Sequence, residues 1–234
     1  GDNRQKPLRS LGGIADGAVI RHLIGRLSGD EQERQAAIHA LEQIGAPAKP
    51  QLLRALGNLR SRRGCLRATG SALALGTMGA MESVPLIVSA CGTCARKWPD
   101  GVFDGDFPND MNDALASLGP AAVHEIVQSV TRDKTAFGGM VEDALLQIGT
   151  MGGVEQLVRE SEDPTVTYFM YDIWLAIGDP RVVPAFVRGM QSARGDEEYY
   201  FAWALSILGG AEADRHIQEY KRTHSAEIGS YMIR

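Results

Sequence analysis

The pattern Ala-Leu-x-x-Ile-Gly recurs along the whole chain, and it restricts the fold more than any other feature of the sequence. Close copies occupy residues 40–45, 74–79, 114–119, 144–149 and 204–209, and weaker ones end at Gly12 and Gly178. The closing glycines are 33, 34, 40, 30, 29 and 31 residues apart. A period near thirty residues is typical of repeat proteins that stack one supersecondary unit on the next.

Each copy has the properties of a helix end followed by a second helix. Leu41 and Ile44 are three residues apart and share a helix face, and Gly45 suits the left-handed position that ends a helix. Pro120 and Pro180 then suit the first turn of a following helix. The second helices carry apolar residues at helical spacing: Val123, Ile126, Val127, Val130; Val154, Leu157, Val158; Val183, Phe186, Val187, Met190.

These features predict an all-α fold, an α-solenoid of antiparallel helix pairs. We expect about six full repeats behind one truncated N-terminal repeat, forming a single array over residues 1–234 with an insertion at about 92–110.

The repeat resembles the HEAT-like repeats first recognised in phycobilisome lyase subunits. That resemblance covers roughly residues 7–220 and implies the same superhelix of helix pairs, which serves enzymes, adaptors and assembly factors alike. The second unit matches the family pattern best, at Asp30, Arg34, Ala37, Ala40, Leu41, Ile44 and Gly45.

Composition excludes several classes of protein. A net charge of -5 argues against a dedicated nucleic-acid binder, which would carry a basic excess. The chain has no apolar stretch long enough to span a membrane. The chain has only three cysteines, an odd number, which argues against a framework of disulfides, so we expect unpaired thiols. Unpaired thiols favour a cytoplasmic protein, although a leader peptide that has been removed would leave no trace.

The 40-residue interval contains the insertion, which is acidic and follows a basic segment. Residues 98–131 carry six acidic side chains and no Lys or Arg, whereas residues 43–81 carry no acid. Both segments join a second helix to the next first helix, so we expect them on one edge of the array. They either neutralise each other, form a bipolar ligand site or are unrelated solvated loops. The candidate binding residues are Arg60, Arg62, Arg63, Trp98, Asp100, Asp104 and Asp106.

The cysteines are the candidate metal ligands. Cys65 opens a first helix, and Cys91 and Cys94 end its partner, so antiparallel packing brings the three together. A closed zinc site needs a fourth ligand, which Asp100 or Asp104 would have to supply. Cys91 and Cys94 form one Cys-x-x-Cys motif, and the chain has no second one to complete a four-ligand site. This favours ordinary thiols, and we predict no metal and no cofactor.

Aromatic residues are concentrated between residues 168 and 203, where nine of the fifteen lie. The simpler interpretation is an aromatic core in the C-terminal repeats. The alternative is an aromatic surface that binds a partner.

We therefore expect a non-enzymatic scaffold or adaptor that binds another protein or peptide, on its concave face or at the insertion. Second helices usually line that face, and Gln128, Arg159 and Arg188 are the candidate contacts there. The alternative is an enzyme or enzyme subunit, chromophore lyase-like or metal-dependent, with its chemistry at the Cys/Asp-rich insertion (Cys91, Cys94, Asp104, Asp106). No catalytic residue is assigned.

The chain ends predict a monomer. Ile228, Tyr231, Met232 and Ile233 form an apolar cluster that we expect to fold back over the last helix pair. A dimer formed through an exposed end is the competing hypothesis, as is a longer native chain.

Overall fold

The computed structural model describes residues 17–97, 107–132, 140–162, 164–194 and 196–223. The predicted all-α class is confirmed, since these residues are helical and contain no strand. The helices are α1 (Gly17–Arg26), α2 (Glu31–Ile44), α3 (Lys49–Leu56), α4 (Arg62–Thr77), α5 (Val84–Lys97), α6 (Phe107–Ser117), α7 (Val123–Arg132), α8 (Met140–Ile148), α9 (Val154–Glu160), α10 (Pro164–Ile177), α11 (Val183–Ser192), α12 (Asp196–Leu208) and α13 (Ala211–Thr223).

The helix ends lie where the repeat predicts them. Gly45, Gly119 and Gly209 follow α2, α6 and α12 with φ of 70°, 72° and 68°, a conformation that glycine adopts without a steric penalty. Side chains cap several helix starts: Asp30 accepts a hydrogen bond from the Glu33 amide at 2.9 Å, and Ser61 accepts one from the Gly64 amide at 3.1 Å.

Gly149 differs from this rule. The sequence predicts that α8 ends there with a left-handed glycine, but the chain continues through a π turn, Gly149–Gly153, and the positive φ of 108° falls at Gly152. A Cβ on Gly149 would lie 2.5 Å from Cδ1 of Ile177 and 2.9 Å from Cδ1 of Leu157. Close packing therefore explains the glycine at position 149.

The chain divides into two compact units, Gly1–Ala144 and Leu145–Arg234, called here the N-terminal and C-terminal units. In the N-terminal unit, α4 packs against α2, α3, α5 and α6. Ten of its 16 residues are buried, and several of them are small, which lets the neighbouring helices approach closely. A Cβ on Gly76 would lie 2.4 Å from the backbone oxygen of Ala114 in α6, and one on Gly70 would lie 3.0 Å from Leu27.

A partly buried ion pair also crosses the N-terminal unit. Arg34 in α2 pairs with Glu31 and lies 3.5 Å from the carboxylate of Asp110 in α6, and the side chains of Arg34 and Asp110 are only 13% and 16% exposed. Asp110 belongs to the predicted insertion, whose first and last residues are helical because α5 extends to Lys97 and α6 begins at Phe107.

The C-terminal unit has an aromatic core, as the simpler interpretation predicts. Trp174 and Phe186 are fully buried with ring centroids 5.8 Å apart, and Phe186 lies 6.2 Å from Phe201. Gly189 leaves room for this cluster, since a Cβ there would lie 2.3 Å from the Phe201 ring. The apolar stripe predicted for α11 is buried at Val183, Phe186 and Val187.

The start of α11 is preceded by a capped turn. Asp179 accepts a hydrogen bond from the Arg181 amide at 2.8 Å and pairs with the Arg181 guanidinium at 2.7 Å. These interactions lower the pKa of Asp179 to about 2.

Candidate functional site

The three cysteines lie together, but two of them form a disulfide. Cys65 at the start of α4 is bonded to Cys94 near the end of α5, with their Cα atoms 6.1 Å apart. The predicted approach of these thiols is confirmed, and the expectation that they stay unpaired is wrong. The error arose because pairing depends on the distance between two Cβ atoms, which a cysteine count does not give. Disulfides are rare in cytoplasmic proteins, so the cysteines no longer support a cytoplasmic localisation, which stays a prediction.

The remaining cysteine is buried and unreactive in its surroundings. Cys91 lies on α5, and burial raises the pKa of its thiol to about 12. With Cys65 and Cys94 bonded to each other, the three cysteines do not supply the three thiolates that the alternative zinc site would need. Across the described residues, no three His, Cys, Asp or Glu side chains are grouped as a metal site requires.

The disulfide gathers cationic side chains at one edge of the N-terminal unit. It joins the start of α4, with Arg62 and Arg63, to the end of α5, with Arg96 and Lys97. The Lys97 ammonium donates a hydrogen bond to the Leu59 carbonyl at 2.9 Å, which brings it next to Arg60. We call this set the basic edge: Arg60, Arg62, Arg63, Arg96 and Lys97.

The basic edge is exposed, and several of its cations lack an acidic partner among the described residues. All five of its residues are exposed, and within the described part of the chain Arg60, Arg63 and Arg96 have no ion-pair partner. The first turn of α4 contains no acidic residue, although a helix N-terminus carries partial positive charge and favours acids there. Two arginines at this position therefore oppose the helix dipole, so helix stability does not explain them.

The predicted bipolar site also had an acidic part. Trp98, Asp100, Asp104 and Asp106 lie outside the described residues. Mutual neutralisation of the basic and acidic segments, and a bipolar ligand site between them, both stay predictions.

The residues predicted for the concave face have different surroundings. Arg159 is exposed and Gln128 is half-buried. Arg188 is turned inward: its Nη2 donates to the Val158 carbonyl at 3.2 Å and to the Ser161 hydroxyl. Arg188 therefore binds the C-terminal end of α9, where carbonyl oxygens favour a cation.

A second surface feature lies in the C-terminal unit, in the region where the sequence left an aromatic partner-binding surface as the alternative. A cavity of about 300 Å³ is lined by Tyr171 and Asp172 of α10 and by Glu197, Tyr200 and Phe201 of α12. The Tyr171 hydroxyl donates to the Tyr200 carbonyl at 2.9 Å and so joins the two helices. We call this feature the acidic–aromatic groove. The concentration of aromatics in this region was the only sequence signal for it.

The Tyr171 phenol is held in its protonated form. Burial raises its pKa to about 12, and the charges of Asp172 and Tyr200 add to the effect. The ring is fixed by edge-on contacts with Phe186 and Phe201, at centroid distances of 5.3 and 5.4 Å. The floor of the groove is therefore rigid.

Comparison with known proteins does not assign the chain to a family. No family model matches the chain, and a search of curated proteins finds no match. No helix in the described ranges combines the length and apolar composition needed to cross a bilayer.

Proposed function

We propose that this chain is a non-enzymatic interaction scaffold, built as a HEAT-like solenoid, whose basic edge binds an acidic segment of a partner protein. The observation that carries the proposal is the group of exposed cations assembled by the Cys65–Cys94 disulfide at the start of α4. Charge of one sign held on a rigid element favours a partner of the opposite sign.

The solenoid part of the proposal is supported by contacts within the N-terminal unit. Alternate helices touch there: α2 packs on α4, α4 on α6, and α5 on α7. In a stack of helix pairs, each first helix contacts the first helix of the next pair, and each second helix contacts the next second helix. A rigid stack of this kind suits recognition of an extended peptide.

An acidic peptide fits this edge for two physical reasons. Carboxylates form charge-assisted hydrogen bonds with arginine, often through both oxygens. They also interact favourably with the partial positive charge at a helix N-terminus, here that of α4. Nucleic-acid-binding domains usually carry a strong basic excess, whereas this chain has a net charge of -5, so we favour a short acidic protein segment.

The enzymatic alternative no longer has a cysteine nucleophile, and its Asp104 and Asp106 lie outside the described residues. Cys94 is bonded to Cys65, and Cys91 is a buried thiol with a raised pKa, so neither supplies the thiolate that chromophore attachment to cysteine would need. No observation on the described residues favours this alternative.

The test is a binding titration with a fluorescein-labelled oligoglutamate peptide, followed by anisotropy. Reversing the edge in an Arg60→Glu/Arg63→Glu variant should weaken binding about tenfold or more, as expected when charge-assisted contacts become repulsive. The control is Arg21→Glu/Arg215→Glu, which makes the same change in net charge at two exposed arginines outside the edge.

Equal loss in both variants would show a net-charge effect and contradict the proposal. Tighter binding of oligothymidylate than of oligoglutamate would assign the edge to nucleic acid instead.

A further inference from the structure

The acidic–aromatic groove is a surface of opposite charge to the basic edge, and it lies on α10 and α12. Asp172 and Glu197 are exposed at its rim, and neither carboxylate has an ion-pair partner among the residues that the structure describes. Tyr171, Tyr200 and Phe201 supply aromatic surface beside them. Carboxylates next to aromatic rings are the groups that bind organic cations in proteins.

We propose that the acidic–aromatic groove binds an arginine side chain presented by a peptide segment of a partner protein. A guanidinium group is planar, so it stacks on an aromatic ring while its edge donates to a carboxylate. The exposed ring of Tyr200 and the two carboxylates offer both kinds of contact.

The size of the groove fits one side chain. Its volume of about 300 Å³ is at the lower end of the range of about 300–1,000 Å³ for small-molecule sites. Tyr171 and Phe201 keep the floor closed through their contact with each other and with Phe186. A rigid floor reduces the entropy lost on binding.

The neighbouring surface indicates a peptide rather than a free cation. Tyr200, Trp203 and Ile207 are 54%, 42% and 55% exposed, and they follow one face of α12 at positions i, i+3 and i+7. This apolar stripe begins at the groove, because Tyr200 belongs to both. Residues that flank the arginine in a partner segment would contact the stripe, as apolar anchors do in other peptide-binding surfaces.

The surface differs from the one expected from the repeat pattern. Both α10 and α12 are first helices of their pairs, whereas the main prediction put partner binding on the second helices or at the insertion, and an aromatic surface was only the alternative interpretation. The inference therefore adds a second recognition surface to the proposed scaffold and does not depend on the basic edge.

The test uses full-length protein and fluorescein-labelled oligoarginine, with oligolysine and oligocitrulline of equal length for comparison. Asp172→Asn/Glu197→Gln should weaken oligoarginine binding about tenfold, because two charge-assisted contacts are lost. Tyr200→Ala, which keeps every charge, should weaken oligoarginine binding severalfold and leave oligolysine binding nearly unchanged, because lysine stacks less well on a ring.

The control variant is Glu212→Gln/Asp214→Asn, which removes the same charge from two exposed acids of α13 in the same unit. Circular dichroism should show that the groove variant still folds and melts only slightly earlier, because Glu197→Gln removes one carboxylate from the first turn of α12, where it interacts favourably with the helix dipole. Equal weakening by the groove and control variants would overturn the proposal, as would an unchanged affinity of Tyr200→Ala for oligoarginine.

If light scattering shows that the protein alone dimerises and that the groove variant is monomeric, the occupant is a second copy of this chain and the proposal is wrong.

Discussion

At the scale of single residues, Arg63 lies where a helix disfavours it. It is exposed in the first turn of α4, which contains no acid. Replacing it with glutamate removes an unfavourable interaction with the helix dipole and adds a favourable one. We expect Arg63→Glu to keep or raise the free energy of unfolding, by about 0.3–1 kcal/mol, while it weakens oligoglutamate binding.

Urea unfolding and peptide anisotropy on the same preparations measure the two effects. If Arg63→Glu leaves the free energy of unfolding unchanged or higher but lowers the affinity for oligoglutamate, Arg63 serves recognition and not folding. A marked loss of stability in Arg63→Glu would show that the arginine supports the fold.

Two glycines in helices of the N-terminal unit should respond oppositely to the same substitution. A Cβ on Gly76 would lie 2.4 Å from the Ala114 backbone oxygen. A backbone atom cannot relieve this clash by side-chain rotation. We expect Gly76→Ala to destabilise the protein by about 1–3 kcal/mol, because α4 and α6 must separate. Gly25 has no atom within 4 Å of that position, so Gly25→Ala should be neutral or stabilising by up to about 1 kcal/mol.

Chemical denaturation of both variants checks the pair. A Gly76→Ala variant as stable as the parent would contradict the close approach of the two helices.

At the scale of helices, the sequence predicted where most elements end, and the exceptions have a physical cause. A glycine after an apolar turn ends α2, α6 and α12 because the left-handed conformation is inexpensive for glycine alone. Gly149 has the same sequence context, but it packs closely against the ends of the Leu157 and Ile177 side chains and the left-handed position falls at Gly152 instead. Contacts with residues further along the chain are not visible in a local motif.

The disulfide should stabilise the pairing of α4 with α5. It joins residues 29 positions apart, and closing a loop of that length corresponds to about 3–4 kcal/mol in the chain-entropy model. We expect Cys65→Ala/Cys94→Ala to lower the urea midpoint, and reductant to lower it in the parent protein but not in this variant.

The control is Cys91→Ala, which should keep its sensitivity to reductant. Titration of the denatured, unreduced parent should find one free thiol per chain, that of Cys91. Three free thiols would contradict the disulfide.

At the scale of the whole molecule, the candidate sites were predicted only in part. The excess of arginine between residues 43 and 81 was visible in the sequence, and the exposed Arg60, Arg62 and Arg63 belong to one edge. Arg188 was predicted to meet a partner, but it binds the end of α9, because its position in the repeat does not reveal the neighbouring carbonyl. The aromatic residues divided between core and surface, as Trp174 and Tyr200 illustrate.

The acidic–aromatic groove could not have been found from spacing. Asp172 and Glu197 come from different helices, and only the packing of α10 against α12 sets them around one cavity. Single acids on helix surfaces are too common to mark a site without that packing.

Hydrogen exchange measured with and without oligoglutamate tests the central claim most directly. If the basic edge binds acidic segments, the peptide should slow amide exchange at the start of α4 and at the end of α5, on both sides of the Cys65–Cys94 disulfide. The Arg60→Glu/Arg63→Glu variant should show no such protection under the same conditions. Unchanged exchange at these two helix ends in the parent protein, with the peptide bound, would contradict the account.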